Sequence, residues 1–233
     1  MNRGLRGTVL LFAVGSVVAA DVQDAPKPQV LDLGDGRYRV GQVEVDSTLH
    51  RFSVPGRVLR AAPPIEFLAV ARDGRRSYEA MIELDATAFE FNLACNLIGL
   101  DATHARVRPV STYDPQILDG DRVALELSWE EGGAAKSRPP ETLLTDGGPE
   151  PTGDWVYVGS DFTHDGSFLA NVDGTLIGLV HDPSSVVEHE LGLGMESGGS
   201  IATTSEAPPA DTAIVLTVER VGAHEAIAAD DEQ

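Results

Sequence analysis

Ile65-Glu66-Phe67-Leu68-Ala69-Val70-Ala71-Arg72-Asp73-Gly74-Arg75-Arg76-Ser77-Tyr78-Glu79-Ala80-Met81-Ile82-Glu83-Leu84 is the stretch that decides the fold. An apolar run follows the Pro63-Pro64 break, Asp73-Gly74 interrupts it, and a second apolar run returns from Ser77. Asp-Gly between two such runs is the strongest short hairpin signal, so 65–84 is expected to be a β-hairpin. Glu66 and Glu79 then lie at comparable distances from the turn and face one another across it. Directly after the hairpin, Asp85 can cap a helix, and Thr87 with Glu90 fits a capping box. Phe89, Leu93 and Leu97 recur at helical spacing, with Ala94 and Ile98 beside them. Gly99 suits the left-handed residue that ends a helix. A helix over 87–98 is therefore expected to pack on the hairpin.

Outward from this block the chain reads as strands. Residues 38–45, 49–54 and 123–129 place apolar side chains near every second position. Residues 155–159, 168–172 and 176–180 read as consecutive strands joined by turns, and 213–221 as a final strand. Residues 183–190 read as a turn or two of helix, 192–211 as a flexible loop. The expected architecture is α+β: a single domain over 37–221, a largely antiparallel sheet, and the 87–98 helix packed on it. Residues 21–36 read as a linker and 222–233 as a disordered acidic tail.

At the start, Arg3 and Arg6 precede the uncharged run Thr8 to Val18, and Val18-Ala19-Ala20 offers small residues for cleavage. This is the pattern of a secretory signal peptide over 1–20, removed after Ala20. Thr8 to Ala20 is shorter than the roughly 20 apolar residues a membrane span needs, so no stable span is expected after cleavage. An exported, periplasmic or secreted protein is the expectation. The chain carries 37 acidic and 17 basic residues, a formal charge of −20. A nucleic-acid binder needs a basic face, so that class is excluded. The single Cys95 excludes an intramolecular disulfide, a CxxC redox pair, a zinc ribbon and an iron–sulfur cluster.

The segments Pro64–Leu100 and Asp154–Pro183 carry a family resemblance. Ile65-Glu66-Phe67-Leu68-Ala69-Val70, Tyr78-Glu79, Leu97-Ile98-Gly99-Leu100, Trp155-Val156-Tyr157-Val158-Gly159-Ser160 and Asp173-Gly174-Thr175-Leu176-Ile177 together resemble the YdjY-type domain, found mostly in exported bacterial proteins. Members usually show His-Glu where this chain has Tyr78-Glu79. The resemblance implies an exported domain and no established activity.

Three groupings bear on chemistry. His164, His181 and His189 each stand beside an acid and fall in one region, so a zinc or iron site would draw on them. Asn171, Asp173 and Thr175 mimic the first ligands of a calcium loop, but Asp182 stands where a closing Glu is required. Glu66 and Glu79 on the hairpin are the expected ligand-binding carboxylates. Glu79, next to the family's His position, is expected to be partly buried. No Walker loop, dinucleotide fingerprint or G-x-S-x-G is present, and no cofactor is expected. The residues favour a non-catalytic exported module with a protein partner in the cell envelope. The alternative is a metal-binding protein or metal-dependent enzyme built on the second-half histidines.

Overall fold

The computed structural model describes residues 29–59, 64–148, 150–194 and 201–222. The expected signal peptide, most of the linker and nearly all of the acidic tail lie outside them. In chain order the strands are β1 (Val30–Gly34), β2 (Arg37–Val40), β3 (Val43–Asp46), β4 (Arg51–Val58), β5 (Phe67–Ala71), β6 (Ala80–Leu84) and β7 (Asp121–Glu131). They continue with β8 (Ala134–Arg138), β9 (Leu144–Thr145), β10 (Trp155–Tyr157), β11 (Thr175–Gly178), β12 (Val187–His189), β13 (Ala202–Thr203) and β14 (Ala213–Arg220). The helices are α1 (Ala88–Leu97) and the short α2 (Leu169–Asp173).

Eight strands close on themselves in the order β4-β14-β7-β10-β12-β11-β5-β6, and β6 pairs back to β4. This barrel replaces the α+β sheet with a packed helix that the sequence led us to expect. The seam is antiparallel, with Gly56 opposite Leu84 and Val58 opposite Ile82. Closure removes edges from the wall and gathers the inward residues of every strand into one core. Phe52, Val54, Leu84, Leu127, Tyr157, Ile177, Leu216 and Val218 are all buried there.

The decisive correction falls on 65–84. β5 and β6 run parallel, with Phe67 beside Ala80 and Ala71 beside Leu84. Arg72 to Glu79 is a crossover carrying a 3-10 turn at Ser77–Glu79, so Asp73-Gly74 begins a return loop and closes no hairpin. Every residue of both strands is buried. Burial on two faces is what parallel strands require, and it erases the alternation that would have marked a half-exposed hairpin. β11 and β12 form a second parallel pair with a crossover over 179–186. β5 and β11 lie side by side and antiparallel, so the two parallel units meet at one pair of strands.

The helix forms where the sequence places it. Thr87 Oγ1 accepts from Glu90 N, and the Glu90 carboxylate accepts from Thr87 N. Its buried face differs, however: Ala88, Phe91, Ala94 and Cys95 point inward, whereas Phe89 is exposed and packs on Phe168. Apolar residues surround this helix on several sides, so spacing alone does not select the core face. Residues 168–172, expected as a strand, are mostly helix α2. Val30–Gly34, expected in the linker, pairs with β2 as a strand.

Candidate functional site

The second crossover concentrates buried polarity. Ser160, Thr175, His181, Asp182, Ser184, Ser185, Glu188, His189 and Asp114 are all buried around it. Glu188 lies between the inward-facing Val187 and His189, so its side chain faces outward and is sealed beneath residues 179–186. Its Oε1 accepts from Asp182 N at 2.7 Å, while Oε2 and Ser185 Oγ have no partner among the described residues. Desolvation holds the Glu188 carboxyl well above the usual range, and the nearby Asp182 charge pushes the same way. Asp182 accepts from Ser184 N, Ser184 Oγ and Thr112 Oγ1.

His181 is enclosed by backbone. Nδ1 lies 2.6 Å from Asp114 O and Nε2 2.9 Å from His189 O. Both ring nitrogens therefore lie against backbone carbonyls. His189 packs edge-on against Trp155, with ring centroids 5.3 Å apart. Its pKa is pushed down to about 4, first by burial and then by the His181 charge. His164 is exposed in the turn after Asp161. The three expected metal ligands are not brought together: among the described residues no group of three His, Cys, Asp or Glu side chains could hold an ion. The calcium-like loop does not form either, since Asn171 and Asp173 lie on α2 and Thr175 Oγ1 donates to Ser184 Oγ at 2.8 Å.

Glu66 and Glu79 do come together, through a different geometry. Glu66 N donates to Glu79 O at 2.8 Å. The Glu66 carboxylate accepts from Tyr113 Oη at 2.5 Å, and Glu79 is nearly buried with Arg76 at 2.7 Å. Arg76 lies over the Phe67 ring and covers the outer face of β5. Tyr113 has a φ of +60°, and burial plus the Glu66 bond push its hydroxyl up to about 12. Tyr113 N also donates to His181 O, so this rim is tied to the buried cluster beneath it. Tyr113 escaped the sequence reading because its partner Glu66 comes from a distant element.

The cluster does not assemble a nucleophile. Ser160 has a φ of +60°, as catalytic serines on strained turns do, but its hydroxyl donates to Ser184 O and accepts from Ala170 N. Among the described residues no imidazole bonds to it. Cys95 is fully buried, and desolvation pushes its thiol far up.

A second region is built for contact. β1-β2-β3-β4-β14-β7-β8 is a continuous antiparallel sheet, of which β4, β14 and β7 are barrel wall. Its outward rows are read from the register. Arg37, Asp46, Arg51, Glu219 and Ala124 form one row, and Arg39, Glu44, Ser53, Thr217 and Glu126 the next. Pro55, Val215 and Ser128 follow. Small side chains on the middle strands leave a trough: one groove of about 910 Å³ from Leu33 to Pro139, and an adjoining one of about 740 Å³ that includes Asp85, Glu130 and Lys136. Among the described residues no helix is long and apolar enough to cross a membrane. Comparison of the chain with family models, with curated proteins and with solved structures finds no match, so the resemblance to YdjY-type domains gains no support.

Proposed function

We propose that this protein is a non-catalytic, exported binding module that docks a protein partner of the cell envelope on the outer face of its seven-stranded sheet. The trough on that face carries the reading. It is a concavity of about 910 Å³, and its polar floor of small residues suits a docked polypeptide better than a small apolar ligand. The buried polar side chains support the same reading, because, Glu188 Oε2 and Ser185 Oγ excepted, their hydroxyl, imidazole and carboxyl groups are committed to internal bonds.

The test is site-specific photo-crosslinking of the full chain in its own cells. A crosslinking residue at Ser53 or Thr217, on the trough floor, is expected to give one discrete adduct. One at Val110, which is 78% exposed on a loop of another region, is expected to give none. An adduct from Val110 alone, or from neither place, overturns the proposal. So does stoichiometric zinc or iron in the purified protein that is lost on His181→Ala.

A further inference from the structure

We infer that the free edge of β1 is a strand-addition site for an extended, cationic segment of another protein. This rests on the binding-module reading and names the partner's chemistry. Among the described residues the seven-stranded sheet ends in two unpaired edges, β1 and β8, and they are treated differently. All residues of β8 are exposed, and it carries Lys136 and Arg138, charges of the kind that deter strand pairing. Lys136 is one of only two lysines in the chain.

β1 has no such guard. Val30, Leu31 and Leu33 are 44%, 53% and 47% exposed. The strand's only charge is Asp32, whose Oδ1 is turned back onto Gly34 N at 2.8 Å. Leu33 also lines the larger groove, so the edge forms one rim of the trough. An added strand would satisfy the open backbone groups of β1 and set alternate side chains against Leu31 and Leu33.

Charge selects the occupant. The groove that Leu33 borders is lined by four carboxylates against three arginines, and the whole chain carries −20. A cationic segment is steered towards such a surface. A second copy is disfavoured on both counts: symmetric antiparallel pairing places Asp32 near its twin, and both chains carry the same excess charge.

The test uses the full chain and a labelled peptide of alternating valine and lysine, with alternating valine and glutamate as control. Peptide binding is read by anisotropy, and backbone protection by hydrogen exchange. The valine–lysine peptide is expected to bind and to slow exchange over 30–34 at least tenfold, leaving 134–138 unchanged. Successive residues of a strand turn their N–H groups alternately to β2 and to the open edge. One of Leu31→Pro and Asp32→Pro therefore blocks the edge without cutting the β2 ladder, and that variant is expected to bind at least tenfold more weakly with an unchanged Tm. Failure of the wild-type chain to bind, equal binding by both variants, equal binding of the valine–glutamate peptide, or protection of 30–34 by self-association each overturns the inference. A discrete Ser53 adduct alongside any of these leaves the binding-module reading standing.

Discussion

Glu188 and His189 are neighbours whose titrations oppose one another. The Glu188 carboxyl is raised in the fold, so between its unfolded pKa near 4.3 and its folded value the native state holds a proton that the unfolded chain releases. Stability attributable to it falls as pH rises, by up to about 1.4 kcal/mol per pH unit. His189 is lowered to about 4, so between pH 4 and about 6.5 the unfolded chain holds the extra proton and stability rises with pH. Where both groups titrate, the two slopes offset each other. Glu188→Gln should therefore gain stability relative to wild type as pH rises above about 4.3. His189→Gln should gain relative to wild type as pH falls from 6.5 towards 4. Urea unfolding of the three proteins from pH 4 to 8 checks the signs, and parallel curves would place both side chains in water.

Asp73-Gly74 and Asp173-Gly174 each look like a hairpin turn in the sequence, yet here they form one crossing point. Gly174 has a φ of +77°, its carbonyl accepts from Ala71 N at 2.8 Å, and a Cβ added to it would lie 2.5 Å from the Gly74 Cα. Arg75 N donates to Asp173 O across the same junction. Gly174→Ala should cost about 1–3 kcal/mol from the left-handed backbone alone, and more because backbone must move. Gly132→Ala is the control, since Gly132 has a φ of +60° with open space around it. Equal losses in urea unfolding would mean that the two turns do not touch. The capping box shows the opposite case: Thr87 and Glu90 are near in sequence, so their pairing was legible before the fold was known.

The barrel closes where β4 meets β6. A Cβ on Gly56 would run into Glu83 O and Leu84, so glycine permits the two backbones to approach. Arg57 reinforces the seam with two bonds to Glu83 Oε1, at 3.1 and 3.0 Å. Gly56→Ala should cost ~1–3 kcal/mol, as overpacking of tight interiors does. Its signature should be faster hydrogen exchange in β4 and β6, with β2 and β3 unchanged. Uniform change across the sheet would show that the seam is not a separate joint.

Local chemistry made much of this protein readable from its residues: the alternating strands that became β3, β4, β7 and β14, and the capped helix after Asp85. Glu66 and Glu79 were expected to face one another across a hairpin; a backbone bond set by a parallel crossover joins them instead, and the sequence did not announce it. Strand direction at β5 and β6 was not readable, because a run buried on both faces has no period to report and a return loop uses the same Asp-Gly as a turn. Closure was hidden too, since pairing Gly56 with Leu84 depends on the path of the whole chain. The same holds for the polar cluster. Its residues are ordinary surface types in sequence, and only the stacking of the 105–120 loop over the second crossover removes them from water and brings partners such as Asp114 and His181 together.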